Sequence, residues 1–211
     1  FNDNSTTWPS WEILYSDLSS PREYVGGPAE ITIVEQGPVR VAIQVTRKAA
    51  GSTFTQTIRL SASEDDRRVD VDNNVDWQSK ATLLKAAFPL NVSNPKATYD
   101  LGLGVIQRGN NTSQLYEVPA QQWADITDTS GDYGVSIIND CKYGWDKPNN
   151  NTLRLTLIHT PRGSYGSNKQ DVQDLGENRF LYSIYGHAGD WVEGETVKQG
   201  EKVNQPLRAF Q

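Results

Sequence analysis

The chain holds 211 residues, with 20 lysines and arginines against 26 aspartates and glutamates, a formal net charge of -6, one cysteine and no methionine. One cysteine excludes an internal disulfide framework and any structural zinc site built on paired cysteines. The acidic balance and the scatter of the basic residues leave no positive stripe, so no nucleic-acid partner is expected. No apolar run approaches the roughly 20 residues of a membrane-spanning helix, so no membrane partner is expected either. With no methionine and no basic head followed by an apolar core, the sequence reads as a processed chain or an excised domain.

Taken in chain order, residues 1–28 are rich in Ser, Thr, Pro and Gly and read as an extended lead-in, with Trp8 and Trp11 spaced to reach one side. Residues 29–211 read as the body of a single sandwich domain. A chain of this size buries roughly 70% of its unfolded surface, enough for one large core. From Glu30 to Arg47 the apolar residues Ile31 and Ile33, then Val39, Val41, Ile43 and Val45, recur at every second position around Gln36-Gly37-Pro38, which predicts a hairpin. A second pair follows, with Phe54, Gln56, Ile58 and Leu60 on one face, a turn at Asp65-Asp66, and Val69, Val71, Val75 and Trp77 inward on the return strand. Further strands are predicted over residues 81–90, 97–101, 104–108, 114–118, 135–139, 152–159 and 179–185, each bounded by turn residues. Residues 164–177 read as a long mobile loop. No segment sustains helical apolar spacing over three turns, so the expectation is an all-β domain of about a dozen strands in two packed sheets.

Three constellations could carry chemistry. Asp70 and Asp72 sit two apart on one strand, roughly 6.6 Å, which a glycosidase carboxylate pair permits. They also continue the polar face of Arg68, Asn74 and Asp76 and read as a solvated strand face. Cys141, His159 and His187 are the material for a thiol nucleophile or a mixed metal site, but they lack tight ligand spacing and lie in different strands. No Gly-x-Ser-x-Gly occurs, since Gly163-Ser164-Tyr165-Gly166 is one residue short. Five unpruned Asn-x-Ser/Thr sequons, at Asn4, Asn91, Asn110, Asn111 and Asn150, beside a single cysteine favour a bacterial origin.

The richest segment runs from Val135 to Trp145, where an apolar strand leads into Asn139, Asp140, Cys141, Lys142, Tyr143, Gly144 and Trp145. Aromatic rings beside hydrogen-bonding groups suit a sugar, whose apolar face stacks on a ring while its hydroxyls pair with Asp, Asn and Lys. At this loop the chain resembles glycoside hydrolase family 38, the α-mannosidases, in the β-sandwich domain that follows the catalytic part. Trp11-Glu12-Ile13, Val34 to Arg40, Val75-Asp76-Trp77, Phe88-Pro89-Leu90, Ala97 to Asp100, Gln122 to Asp125 and Asn139 to Gly144 are similar to that domain, and the likeness extends to about residue 191.

The resemblance implies a β-supersandwich like that of galactose mutarotase, with mainly antiparallel sheets, in a retaining enzyme that releases α-linked mannose through a covalent intermediate on an aspartate. It also implies a divalent metal, usually zinc. The nucleophile and metal ligands of the family belong to an N-terminal catalytic domain, so no catalytic or metal residue is assigned here and this chain alone is expected to be inactive. Its partners would be its own N-terminal catalytic and helical domains together with mannosides or mannose-containing glycans. Asn139, Asp140, Lys142, Tyr143 and Trp145 are the residues expected at the active-site rim. Cys141 departs from the arginine that other branches place beside the aspartate, and residues 163–176 depart from the shorter loop of the family. A single unpaired cysteine fits a bacterial cytoplasm or a periplasm. Two rivals stand beside this reading: a free-standing carbohydrate-binding module, and a small mutarotase-like enzyme whose two histidines meet across one concave sheet.

Overall fold

The alternating apolar pattern after Gly27 becomes four successive antiparallel strands, β1 (Glu30–Gln36), β2 (Arg40–Ala49), β3 (Ser52–Ser61) and β4 (Arg68–Trp77). They belong to a computed structural model that describes residues 1–5, 7–162, 164–165, 168–169 and 171–207. A two-residue turn joins β2 and β3. Ala50 and Gly51 both have positive φ there, 51° and 77°, as the hairpin turn that matches strand twist requires.

The chain continues through β5 (Thr82–Pro89), β6 (Lys96–Asp100), β7 (Val105–Gly109), β8 (Val118–Pro119), β9 (Trp123–Thr127) and β10 (Tyr133–Asn139). It then forms β11 (Gly144–Asn149), β12 (Thr152–Thr160), β13 (Ser164–Tyr165), β14 (Asn168–Lys169) and β15 (Gly176–Ala188). Two helices are present among the described residues, α1 (Tyr15–Ser19) and α2 (Thr196–Asn204).

A nine-stranded sheet runs β1-β2-β3-β4-β15-β10-β9-β6-β7 and faces a four-stranded sheet, β5-β12-β11-β8, while β13 and β14 pair apart. All the pairings are antiparallel, which bears out the all-β, two-sheet expectation. Between the sheets lie Phe54, Val75 and Trp77 from one side and Phe88, Trp145, Leu153 and Leu155 from the other. Phe88 meets Tyr182 edge-on across the gap, with ring centres 5.3 Å apart.

Several expected elements move. The strand expected over 114–118 shrinks to β8, and residues 144–149, read as part of a polar loop, are strand β11. β9 carries no alternation because both of its faces are covered, so Trp123, Ala124, Asp125 and Ile126 are all buried. The expected loop 164–177 already contains β13, β14 and the start of β15, while residues 163, 166, 167 and 170 lie outside the described residues.

Residues 1–20 do more than lead in. Phe1 and Leu83 exchange backbone hydrogen bonds, with Phe1 N donating to Leu83 O at 3.1 Å and Leu83 N to Phe1 O at 3.0 Å, and Asp3 N donates to Ala81 O at 2.9 Å. The segment lies over the outer face of the four-stranded sheet, where the Phe1 ring stacks 5.0 Å from the Arg154 guanidinium. Beneath it is a buried ionic cluster. Asp146 accepts from Arg154 Nε at 2.8 Å and pairs with Lys85 Nζ at 2.9 Å, and Lys85 also reaches Glu117 at 2.6 Å. Burial pushes the Asp146 pKa up, but the Lys85 and Arg154 cations and the hydrogen bonds outweigh it and leave the pKa below the usual carboxylate value.

Candidate functional site

The loop singled out from the sequence stands at the end of β10, and the structure divides its residues into two groups. Asn139 is buried and fully engaged. Its backbone N donates to Gln122 O at 2.8 Å, its side-chain amide donates to Gln121 O at 3.1 Å, and its Oδ1 accepts the Lys142 N–H at 2.6 Å. Trp145 is wholly inside the core between the sheets. Trp145 therefore cannot form the apolar wall of a sugar site, which corrects the expectation for that residue, whereas Asn139 borders a groove. Asn139 positions the loop, and Trp145 anchors it because strand alternation in β11 turns its ring inward.

Asp140, Lys142 and Tyr143 remain at the surface. Asp140 is exposed, and its Oδ1 accepts the Leu181 N–H at 3.0 Å, which ties the loop to β15. Lys142 lies across the Phe180 ring, with Nζ 4.9 Å from its centre. Tyr143 is 55% exposed, while its backbone oxygen accepts the Ala120 N–H at 3.0 Å. Asn139, Asp140 and Tyr143 line a groove of about 350 Å³ completed by Asp100, Gln121, Gln122 and the α2 residues Glu201 and Asn204. Asp100 stabilises the opposite wall, where its two oxygens accept the N–H groups of Gly102 at 2.8 Å and Gln122 at 2.9 Å. The groove offers carboxylates, amides and one exposed ring, which suits a hydroxyl-rich ligand. The contribution of α2 is not legible in its largely polar sequence, and Asp100 carries no motif.

The other constellations separate. Cys141 is an exposed residue, but partial burial of its thiol and the hydrogen bond that the S–H donates to Asp140 push its pKa up to about 11, so it is a neutral thiol at physiological pH. His159 pairs with Asp3 on the outer face of the small sheet. His187 lies on the outer face of the large sheet under α2, so the histidines do not converge as a mutarotase-like site requires. Among the described residues no group of three His, Cys, Asp or Glu side chains could hold a metal ion. The supposed solvated face of β4 is partly covered as well. Arg68 is buried against Asp70 and donates to Gln199 of α2 at 3.0 Å, and Arg59 pairs with Asp72 at 3.0 Å.

Under α2 a Ser-His-Asp grouping appears, but its geometry is structural. His187 Nε2 faces both Asp125 Oδ2 at 2.8 Å and Ser136 Oγ at 3.3 Å, whereas a nucleophilic triad uses the two ring nitrogens separately. Ser136 is itself tied to Thr196 at 2.7 Å, and the network is buried. Burial works against the charged imidazole, but the hydrogen bond and attraction of Asp125 prevail, raising the His187 pKa above its ordinary 6.5. The stability it contributes is therefore full below that value and is lost as pH climbs through the folded pKa. Urea unfolding from about pH 5 to about pH 8 should show this decline, and His187→Gln should flatten it. Glycines flank the ring: a Cβ on Gly194 would lie 2.4 Å from His187 Cγ, and one on Gly134 2.6 Å from Cε1. Gly194→Ala should cost about 1–3 kcal/mol in urea unfolding, because backbone and ring must shift.

Comparison with known proteins converges on one family. Residues 1–163 match the family model "Glycosyl hydrolases family 38 C-terminal domain". The chain is 30% identical to alpha-mannosidase G of Dictyostelium discoideum over 97% of its length and 19% of that protein, and 30% identical to an alpha-mannosidase of Saccharomyces cerevisiae over the same shares. It therefore spans about a fifth of these relatives. Among solved structures, a glycosyl hydrolase family 38 protein from Enterococcus faecalis superposes with a TM-score of 0.70 at 19% identity, over 82% of this chain and 24% of that one.

Proposed function

The chain belongs to the glycosyl hydrolase family 38 C-terminal domain family, and from that membership we propose that it is a non-catalytic domain of a retaining, metal-dependent α-mannosidase acting on terminal α-linked mannose. The hydrolytic residues and the metal ligands would lie in the catalytic domain, outside residues 1–211, and this domain would pack on it. What supports a role at the rim is the groove beside the 139–145 loop, where exposed Asp140 and Tyr143, with half-buried Lys142 next to them, stand on a buried anchor. Asp140 accepts hydrogen bonds from sugar hydroxyls, Lys142 donates them, and the Tyr143 ring offers an apolar wall.

Tyr143 is the cleanest probe, because only its ring is exposed and its backbone holds the loop. In the longer polypeptide that carries this domain, Tyr143→Ala should lower kcat/KM for a mannoside by about tenfold, chiefly through KM. An unchanged kcat/KM contradicts the rim assignment.

One observation favours the module reading. Trp8 and Trp11 stack with ring centres 5.6 Å apart and planes 7° apart, and Trp11 lines a second groove of about 410 Å³ with Glu12, Tyr116 and Glu117. Calorimetric titration of the 211-residue chain with mannosides decides between them, since binding that is lost in Trp11→Ala and kept in Tyr143→Ala would assign sugar to that surface.

A further inference from the structure

The nine-stranded sheet is wider than its cover. At about 4.8 Å between strands, nine span roughly 38 Å and four roughly 14 Å, so one sheet cannot roof the other. The shortfall lies over β1, β2 and β3. Their paired residues share a face: Ile33 opposes Ile43, which opposes Ile58, which opposes Val71, and Val41 opposes Leu60, which opposes Val69. That is the core face, since Val71 and Val75 lie in the interior. Along it burial fades, from 8% exposed at Phe54 to 48% at Leu60 on β3, and from 7% at Val45 to 50% at Val41 on β2. On β1 Ile31 and Ile33 are more than 60% exposed. A trough of about 480 Å³ runs along Ile33, Val41, Ile43, Ile58 and Leu60, and the Glu35–Arg40 ion pair borders this end of the face. An apolar floor with a charged rim is interface anatomy.

The edge of the covering sheet lies beside this floor. Leu84 and Ala86 of β5 share a small cavity with Phe54 and Arg47, and among the described residues the edge of β5 is paired only at its start, where residues 1–3 meet residues 81–83 around the Asn2–Thr82 bridge. Since Leu83 directs its N–H to that edge, strand alternation directs those of Lys85 and Ala87 there too.

We propose that a β layer from the same polypeptide, outside residues 1–211, covers β1 to β3 and continues the four-stranded sheet from the edge of β5. This rests on the reading of the chain as one domain of a longer hydrolase, and the relatives, about five times as long, have the polypeptide to supply it.

The test is accessibility. In a Cys141→Ser background, Ile33→Cys, Leu60→Cys and, as a reference in the β3–β4 turn, Ser63→Cys are labelled with a maleimide in the 211-residue chain and in the longer polypeptide, with each position read by peptide mass spectrometry. Positions 33 and 60 should label as fast as 63 in the short chain and roughly a hundredfold slower in the long one, and Lys85 and Ala87 amide exchange should slow with them. Equal labelling of 33, 60 and 63 in the long polypeptide overturns the proposal. So does protection already present in the short chain with a dimeric mass, which assigns the face to a second copy. Mannosidase activity is scored separately: an active enzyme with open positions sinks the docking alone, while protected positions in an inactive polypeptide sink the hydrolase reading alone.

Discussion

Asp146→Ala should lower the unfolding free energy by about 3–5 kcal/mol, seen as a fall in urea midpoint without a change in slope. Asp146 has no exposed side-chain surface, and Lys85 and Arg154 are nearly as buried, so its removal leaves two cations in a low-dielectric interior. Glu117 still pairs with Lys85 at 2.6 Å, but Arg154 loses its carboxylate. The partner to this experiment is the double replacement Asp146→Leu with Arg154→Met. Removing both charges eliminates the desolvation cost, so the double variant should be more stable than Asp146→Ala. If it is not, the cluster stabilises through more than charge pairing. Against a typical stability of about 5–15 kcal/mol, the single variant removes a large part of the stability of the whole domain.

Trp145→Ala should cost a similar amount, about 3–5 kcal/mol, through the cavity left between the sheets. Its neighbour separates stability from function: Tyr143→Ala should stay within about 0.5 kcal/mol of the parent in the same urea titration, because its ring is largely in solvent. A large loss at Trp145 with none at Tyr143 is the signature of a loop whose inner ring holds the fold and whose outer ring is free to meet a ligand. Comparable losses at both would mean that Tyr143 packs as part of the fold.

That pair also shows what could be read from the residues and what could not. Period-two alternation placed β1 to β4 and the inward set Val69, Val71, Val75 and Trp77 because one face of each strand is apolar and the other polar. β9 broke the rule because α2 buries its second face, and there Asp125 and Ser136 satisfy each other at 2.8 Å. Trp145 reads as a rim residue of a polar loop, yet it is buried, and so is Lys147 two residues on. Lys147 donates to Asn94 O at 2.6 Å, Asn110 Oδ1 at 2.7 Å and Asn149 O at 2.7 Å, and burial lowers its pKa to about 8. Two of these acceptors, Asn94 and Asn110, lie in other loops, so spacing in the chain carries no trace of them. For the same reason the loop was legible as a candidate site, but its division into anchor and surface residues, and the far wall at Asp100 and Glu201, came only with the fold.

The claim that the chemistry lies outside this chain is tested most directly by hydrolysis of an aryl α-mannoside, with added divalent metal, by the 211-residue chain and by the longer polypeptide that contains it. The account predicts no turnover above buffer from the chain alone and full turnover from the longer polypeptide. Metal-dependent hydrolysis by the chain alone would contradict it.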